Sequence, residues 1–73
     1  MDKFEVLSEA LKIIDPKNTV TPGSLARNVI MKVIFSKVDK LGPEETLKEI
    51  NRTKAHLIGQ VGQMTTMEKG EGL

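Results

Sequence analysis

The sequence predicts a small, mainly helical protein that associates as a homodimer. Only Phe4 and Phe35 are aromatic among the 73 residues, whereas β-rich domains depend on aromatic and β-branched side chains. Apolar residues recur at helical spacing along much of the chain. A chain of this length buries a limited core, and with no cysteine it forms no disulfide. Association with a second copy is therefore the expected route to stability.

One domain is predicted over residues 1–66, followed by a disordered tail at 67–73. The tail contains two glycines and several charged residues, a composition typical of frayed chain ends. No apolar run has the length of a membrane span or the flanks of a secretory signal. The absence of cysteine suits a reducing compartment. We expect a cytoplasmic protein with no membrane partner.

The first segment, DKFEVLSEALKIID, has two interpretations. Its apolar side chains repeat at spacings of three, four and three, which is typical of an amphipathic helix; they are Phe4, Leu7, Leu11 and Ile14. Residues 3–6 also alternate between polar and apolar, as a short strand would, and Ser8 would then cap a helix. Periodicity leaves both interpretations open. Pro16 ends the segment in either case, since the residue before a proline is pushed out of helical geometry.

The second predicted helix begins near Thr21, a good N-cap, with Pro22 in its first turn. It is expected to run to about Lys40, with Gly42 as the C-terminal stop. Its apolar residues cover well over half of the helix circumference. A helix of this kind must be buried on more than one side. This is the main argument for a dimer.

The third predicted helix starts at Pro43, where two glutamates favour the positive end of the helix dipole. It carries a heptad-like seam with one polar member: Leu47, Ile50, Lys54, Leu57, Val61 and Met64. Lys54 either fixes the register of a partner helix or lies at the edge of the seam and extends to water. We favour the second interpretation, because the seam covers fewer than three heptads.

Catalysis and metal binding are not expected. The single histidine, His56, has no cysteine beside it and no carboxylate placed to orient it. A zinc site needs a ligand set that this chain lacks. We therefore expect no enzyme, no catalytic or metal-binding residue, no cofactor and no small-molecule substrate.

Charge is unevenly distributed along the chain. From residue 16 to residue 38 there is no acidic side chain, while the bases Lys17, Arg27, Lys32 and Lys37 fall in this stretch. An acid-free region around a helix N-terminus suits a surface that faces phosphates. The simpler interpretation is that these bases keep an apolar helix in solution.

The order of a short strand, a short helix, a capped turn and a long apolar helix resembles the ribbon-helix-helix family of DNA-binding dimers. Small regulators of archaeal viruses and plasmids often belong to this family. The resemblance implies an intertwined homodimer in which two N-terminal strands pair and enter the major groove of DNA. The second helix would form the dimer core, and the third predicted helix would be an addition.

The resemblance also implies a set of DNA-contacting residues. Phe4 and Val6 would face the core. The residues assigned to the bases are Lys3, Glu5 and Leu7, and those assigned to a phosphate at the helix start are Thr21, Gly23, Ser24 and Arg27. The amides of Gly23 and Ser24 are the implied donors, since a helix N-terminus favours an anion.

The function expected from the resemblance is sequence-specific DNA binding by a homodimeric transcriptional regulator, in the host cytoplasm if the source is viral. Double-stranded DNA and a second copy of the chain are the expected partners. The alternative is an all-α three-helix bundle dimer that acts as a protein-interaction or adaptor module without binding nucleic acid.

Overall fold

A computed structural model describes residues 1–68 of the chain. Within that range the regular secondary structure consists of four helices, with these bounds: α1 Lys3–Ile14, α2 Leu25–Leu41, α3 Pro43–Arg52 and α4 Lys54–Glu68. The predicted N-terminal strand is therefore wrong, and the ribbon-helix-helix fold that depended on it is wrong with it. The alternative, an all-α fold, agrees with the structure. No helix among these residues is long and apolar enough to cross a membrane.

Helix α1 begins at Lys3, where the strand was predicted to begin, because Asp2 and Glu5 form a capping box. Asp2 Oδ1 accepts a hydrogen bond from the Glu5 amide at 2.9 Å, and Glu5 Oε1 accepts one from the Asp2 amide at 3.2 Å. Two otherwise unpaired donors at the helix start are thereby satisfied. Residues 3–7 form the first turns of a helix, and the Asp-x-x-Glu spacing was the sequence signal for it.

Helix α2 starts at Leu25, four residues after the predicted N-cap Thr21. The Ser24 amide donates to the Thr21 carbonyl at 3.2 Å, and Gly23 has a φ of 79°. Proline followed by a glycine at positive φ is the signature of a type II turn. Residues 21–24 therefore form a turn, and the N-cap is Ser24, whose Oγ accepts from the Arg27 amide at 3.1 Å.

The boundary between α2 and α3 confirms the prediction that Gly42 ends one helix and Pro43 begins the next. Gly42 is the cap residue of both helices, with φ 84° and ψ 164°. Only glycine adopts this backbone region without strain.

The third predicted helix is two helices in the structure. They are separated at Thr53, whose hydroxyl donates to the Glu49 carbonyl at 3.0 Å. Such back-bonding by a threonine bends helices. Lys54 is exposed and starts α4, so the predicted seam is interrupted at that residue. Part of the predicted tail, residues 67 and 68, belongs to α4; the rest of that prediction lies outside the described residues.

The core is built around α1, which packs against each of the other three helices. Its buried apolar side chains come from all four helices and the loop after α1: Val6, Leu7, Ala10, Ile14, Val20, Ile30, Ile34, Ile50 and Val61. Thr46 is also fully buried, and its hydroxyl donates to the Gly42 carbonyl at 2.8 Å. The buried hydroxyl of Thr46 therefore has a hydrogen-bond partner, which offsets the cost of burying it.

We predicted that α2 is buried on more than one side. Much of this burial comes from the other helices of the same chain. Ile30 and Ile34 face the core, and Met31 and Phe35 pack against its edge. The argument for a dimer supposed that one neighbouring helix within the chain would cover α2, whereas α2 contacts three other helices in the described chain. What remains uncovered on α2 is a narrower stripe, described below.

Replacing Gly59 or Gly62 by alanine is expected to raise the free energy of unfolding by about 0.5–1 kcal/mol each. Both glycines lie inside α4, and an added Cβ would meet no atom within 4 Å at either position. Alanine therefore gains helix propensity at no steric cost. Urea unfolding of each variant measures the change, and a destabilised variant would contradict an open α4 surface.

Candidate functional site

An apolar groove runs between α2 and α4, and we call it the α2–α4 groove. Its volume is about 380 Å³, within the range of binding clefts in proteins. The floor is the core itself, at Ile14, Ile30, Ile34, Ile50 and Val61. The groove forms because α2 and α4 pack side by side over the same core.

Half-exposed apolar side chains form the walls of the groove. On α2 these are Val29 and Val33, each 49% exposed. On α4 the wall is formed by Leu57, Met64 and Met67. Flexible methionine side chains adapt to irregular apolar surfaces. An apolar partner in the groove would therefore contact apolar side chains of both walls and lose water on each of those sides.

The ionised side chain lining the groove is already paired. Lys37 Nζ donates to Glu49 Oε1 at 2.7 Å across α2 and α3. This hydrogen bond and the positive charge of Lys37 lower the pKa of the Glu49 carboxyl below its ordinary value. The remaining polar side chains of the lining are the amides Gln60 and Gln63. The lining thus presents neutral amides and apolar groups to an occupant.

The N-terminus of α2 binds a carboxylate from the same chain. Glu68 Oε2 accepts from the Leu25 amide at 3.2 Å, and Oε1 accepts from the Ala26 amide at 3.0 Å. Hydroxyl-bearing residues surround a small cavity of about 60 Å³ beside it: Thr19, Thr21, Ser24 and Thr65. The helix start favours an anion, as its dipole requires. Glu68 ties the end of α4 to the start of α2 at one end of the groove.

The three residues assigned to DNA bases lie on α1. Leu7 is 2% exposed and belongs to the core, and the Glu5 carboxylate closes the capping box. Lys3 Nζ lies 5.1 Å from the centroid of the Phe35 ring, which also makes an edge-on contact with Phe4. Their assignment depended on a strand, and in the helix the three side chains do not share one exposed face.

The four residues assigned to a phosphate lie at the start of α2. Thr21 and Gly23 are exposed, and Ser24 and Arg27 are half-buried. The Ser24 amide, an implied donor, is bonded to Thr21 within the turn. Lys3 packs against Phe35 of α2. At 1.5 Å per residue, Phe35 lies about 17 Å from Ser24 along the axis of that helix. The structure does not bring the two groups of predicted residues together.

A second buried polar site lies where α1 ends. Asp15 Oδ1 accepts from the amide and the hydroxyl of Thr19 at 2.8 and 2.7 Å, and Oδ2 accepts from the Val20 amide at 2.9 Å. Burial alone would raise the pKa of the Asp15 carboxyl, but these bonds from Val20 and Thr19 hold it below its ordinary value. The site holds the loop against the core and offers no free acceptor to a ligand.

The described part of the chain contains no candidate metal-binding group. Among residues 1–68 no three histidine or carboxylate side chains are placed to hold a metal ion. His56 is exposed on α4. The α2–α4 groove is therefore the candidate functional site. Comparison of the chain with protein-family models, curated proteins and solved structures finds no match.

Proposed function

We propose that this chain is a small protein-interaction module whose α2–α4 groove binds an amphipathic helix of a partner protein. The observation that carries the proposal is the half-exposed pair Val29 and Val33 on one wall, opposite the methionines of the other. A helix placed in such a groove buries apolar side chains at positions i, i+4 and i+7. Each half-exposed valine loses further apolar surface to water when the groove is filled.

An elongated occupant is favoured because the apolar surface continues beyond the groove. Leu25 and Met67, near one end of it, are 72% and 77% exposed. From Leu25 to Val33 the stripe on α2 extends about 12 Å, which matches about two turns of a bound helix. A small apolar ligand would leave Leu25 uncovered, whereas a helix of three or four turns would cover it.

DNA binding stays a prediction, and we rank it below protein interaction. The residues assigned to bases and to phosphate lie in two separate places on the chain. Glu68 already accepts from the amides at the start of α2, so a phosphate there would have to displace a carboxylate. Among residues 1–68, no carboxylate lines the groove as a comparable competitor.

The test is a selection from a displayed library of 16-residue amphipathic helices with a fixed apolar stripe and varied flanking positions. Selected peptides are expected to bind the native chain and to lose at least tenfold in affinity for Val33→Asp. Leu41→Asp is the matched control, because Leu41 is an α2 residue of similar exposure, 44%, that does not line the groove. Its affinity is expected to stay within twofold of native.

Two results would overturn the proposal. One is a library that yields no binder, or binders that lose affinity equally with Val33→Asp and Leu41→Asp. The other is a stable dimer of the chain, seen by analytical ultracentrifugation, that Val33→Asp dissociates and Leu41→Asp does not. The groove would then be the contact between two copies, as the sequence prediction of a homodimer has it. Circular dichroism of both variants checks that each remains folded.

A further inference from the structure

We infer that the helix bound in the α2–α4 groove carries acidic residues along the edges of its apolar stripe. This inference rests on the proposed function and specifies the partner's chemistry. It follows from the charges on and beside the two walls.

The facing stretches of α2 and α4 contain no acid. Residues 25–38 of α2 hold three bases, Arg27, Lys32 and Lys37, and residues 55–67 of α4 hold neither Asp nor Glu. A partner lying between these stretches meets positive charge from one wall and no negative charge from either.

Two carboxylates beside the groove, Glu49 of α3 and Glu68 at the end of α4, are engaged. Glu49 accepts from Lys37 at 2.7 Å, and Glu68 accepts from two backbone amides at the start of α2. Within residues 1–68 neither Lys32 nor Lys40 lies within ion-pair distance of a carboxylate. These two exposed lysines of α2 are available to a partner.

Lys40 lies on the groove side of α2, and Lys32 lies on the outer side of the groove wall. At roughly 100° per residue, Lys40 lies about 20° from Val33 around the helix axis. Lys32 lies about 60° from Val29 on the outer side. Asp39 lies about 20° from Lys32 around the axis and about 120° from Val33, so it shares that outer side. An acidic edge on the bound helix therefore meets Lys40 before it meets a carboxylate of α2.

Charge also separates this partner from a second copy of the chain. Two copies joined through their grooves would bring two acid-free stretches together, each with basic side chains and no carboxylate to offer the other. Like charges across an interface oppose association, and opposite charges speed it and set specificity. A partner helix with glutamate or aspartate at its flanks has the complementary pattern.

The same peptide library provides the test, with its flanking positions varied among Asp, Glu, Asn, Gln, Lys and Arg. Selected binders are expected to be enriched in Asp and Glu over Lys and Arg at the flanks. For an acidic binder, the double variant Lys32→Glu and Lys40→Glu is expected to weaken binding about tenfold at 50 mM salt. That difference should shrink at 0.5 M salt, where the Debye length is a few ångströms.

The matched control changes Lys12 and Lys48 to glutamate. Both are exposed lysines of α1 and α3 that do not line the groove, and the change in net charge is the same. Affinity of the control for the acidic peptide is expected to stay within about twofold of native. Replacing the acidic flanks of the peptide by lysine should restore binding to the groove double variant.

Failure of the inference is distinct from failure of the proposed function. Binders that lose affinity with Val33→Asp but have no preference for acidic flanks leave the function standing and overturn the inference. So does an equal loss in the two lysine double variants. Displacement of the acidic peptide by a random-sequence DNA duplex, at a lower concentration than the unlabelled peptide requires, also overturns it, since the same lysines would then serve DNA.

Discussion

Replacing Asp15 by alanine is expected to lower the free energy of unfolding by about 3 kcal/mol at neutral pH. The carboxylate accepts three hydrogen bonds from Thr19 and Val20 and is 9% exposed. Its loss leaves two backbone amides without their acceptor. At about 0.05–0.15 kcal/mol per residue, a domain of this size has a total stability of roughly 4–11 kcal/mol. The melting temperature is expected to fall by roughly 12–24 °C.

The same carboxylate makes stability depend on acid. The native pKa of Asp15 lies below its ordinary value of 3.8, so the unfolded chain takes up the proton first as the pH falls. The stabilisation is therefore complete above the unfolded pKa and disappears as the pH drops through the native pKa. Asp15→Asn, which cannot titrate, is expected to be less stable at pH 7 and to lose less stability between pH 5 and pH 2.

Thr19→Val is the matched control for these measurements. It removes the hydroxyl that donates at 2.7 Å and retains the amide that donates at 2.8 Å. The expected loss is about 1 kcal/mol, with an acid dependence between those of the native chain and Asp15→Asn, because two backbone amides still lower the pKa of the carboxyl. Chemical denaturation from pH 2 to pH 7 measures all three variants. An Asp15→Asn variant with the same acid dependence as the native chain would contradict the role given to this carboxylate.

The helix boundary at a glycine and a proline was the best-predicted part of the fold. Gly42 and Pro43 were assigned to a helix end and a helix start, and both assignments are correct. The same rules were misapplied at Thr21 and Pro22, which look like an N-cap and a first helical residue. Gly23, next in sequence, makes them part of a turn instead, because a proline–glycine pair suits a turn better than a helix start.

The N-terminal strand was predicted because local alternation was given more weight than capping. Residues 3–6 alternate in polarity, but Phe4 and Leu7 also begin a helix stripe, and so short a window fits both periods. The Asp2–Glu5 box decides between them. The division at Thr53 had a weaker signal, since a single threonine rarely ends a helix without tertiary contacts.

The candidate groove could be predicted only in part. The sequence indicated that α2 is apolar around most of its circumference, and Val29 and Val33 belong to that surface. It could not indicate which part of the surface α4 would cover, because that depends on how the helices pack. Nor could it indicate that the carboxylate on the start of α2 would be Glu68, 42 residues from Ala26 in sequence.

Replacing Gly42 by L-alanine is expected to lower the free energy of unfolding by about 2 kcal/mol, and by up to about 3. The cause is the backbone alone, since φ is 84° and an added Cβ would meet no atom within 4 Å. Gly59→Ala is the matched control: its surroundings are equally open, but it lies within a helix, and its expected effect has the opposite sign. Urea unfolding of the two variants measures both.

Chirality separates backbone strain at Gly42 from any other effect of a methyl group. D-alanine favours the mirror image of the region that L-alanine favours, and φ 84° with ψ 164° mirrors extended backbone. A chain synthesised with D-alanine at position 42 is expected to be at least as stable as native, because the substitution also restricts the unfolded state. Equal destabilisation by both enantiomers would show that the methyl group, and not the positive φ, is responsible. The backbone at Gly42 also affects the α2–α4 groove. It sets the direction in which α3 leaves α2, and α3 in turn sets the position of α4.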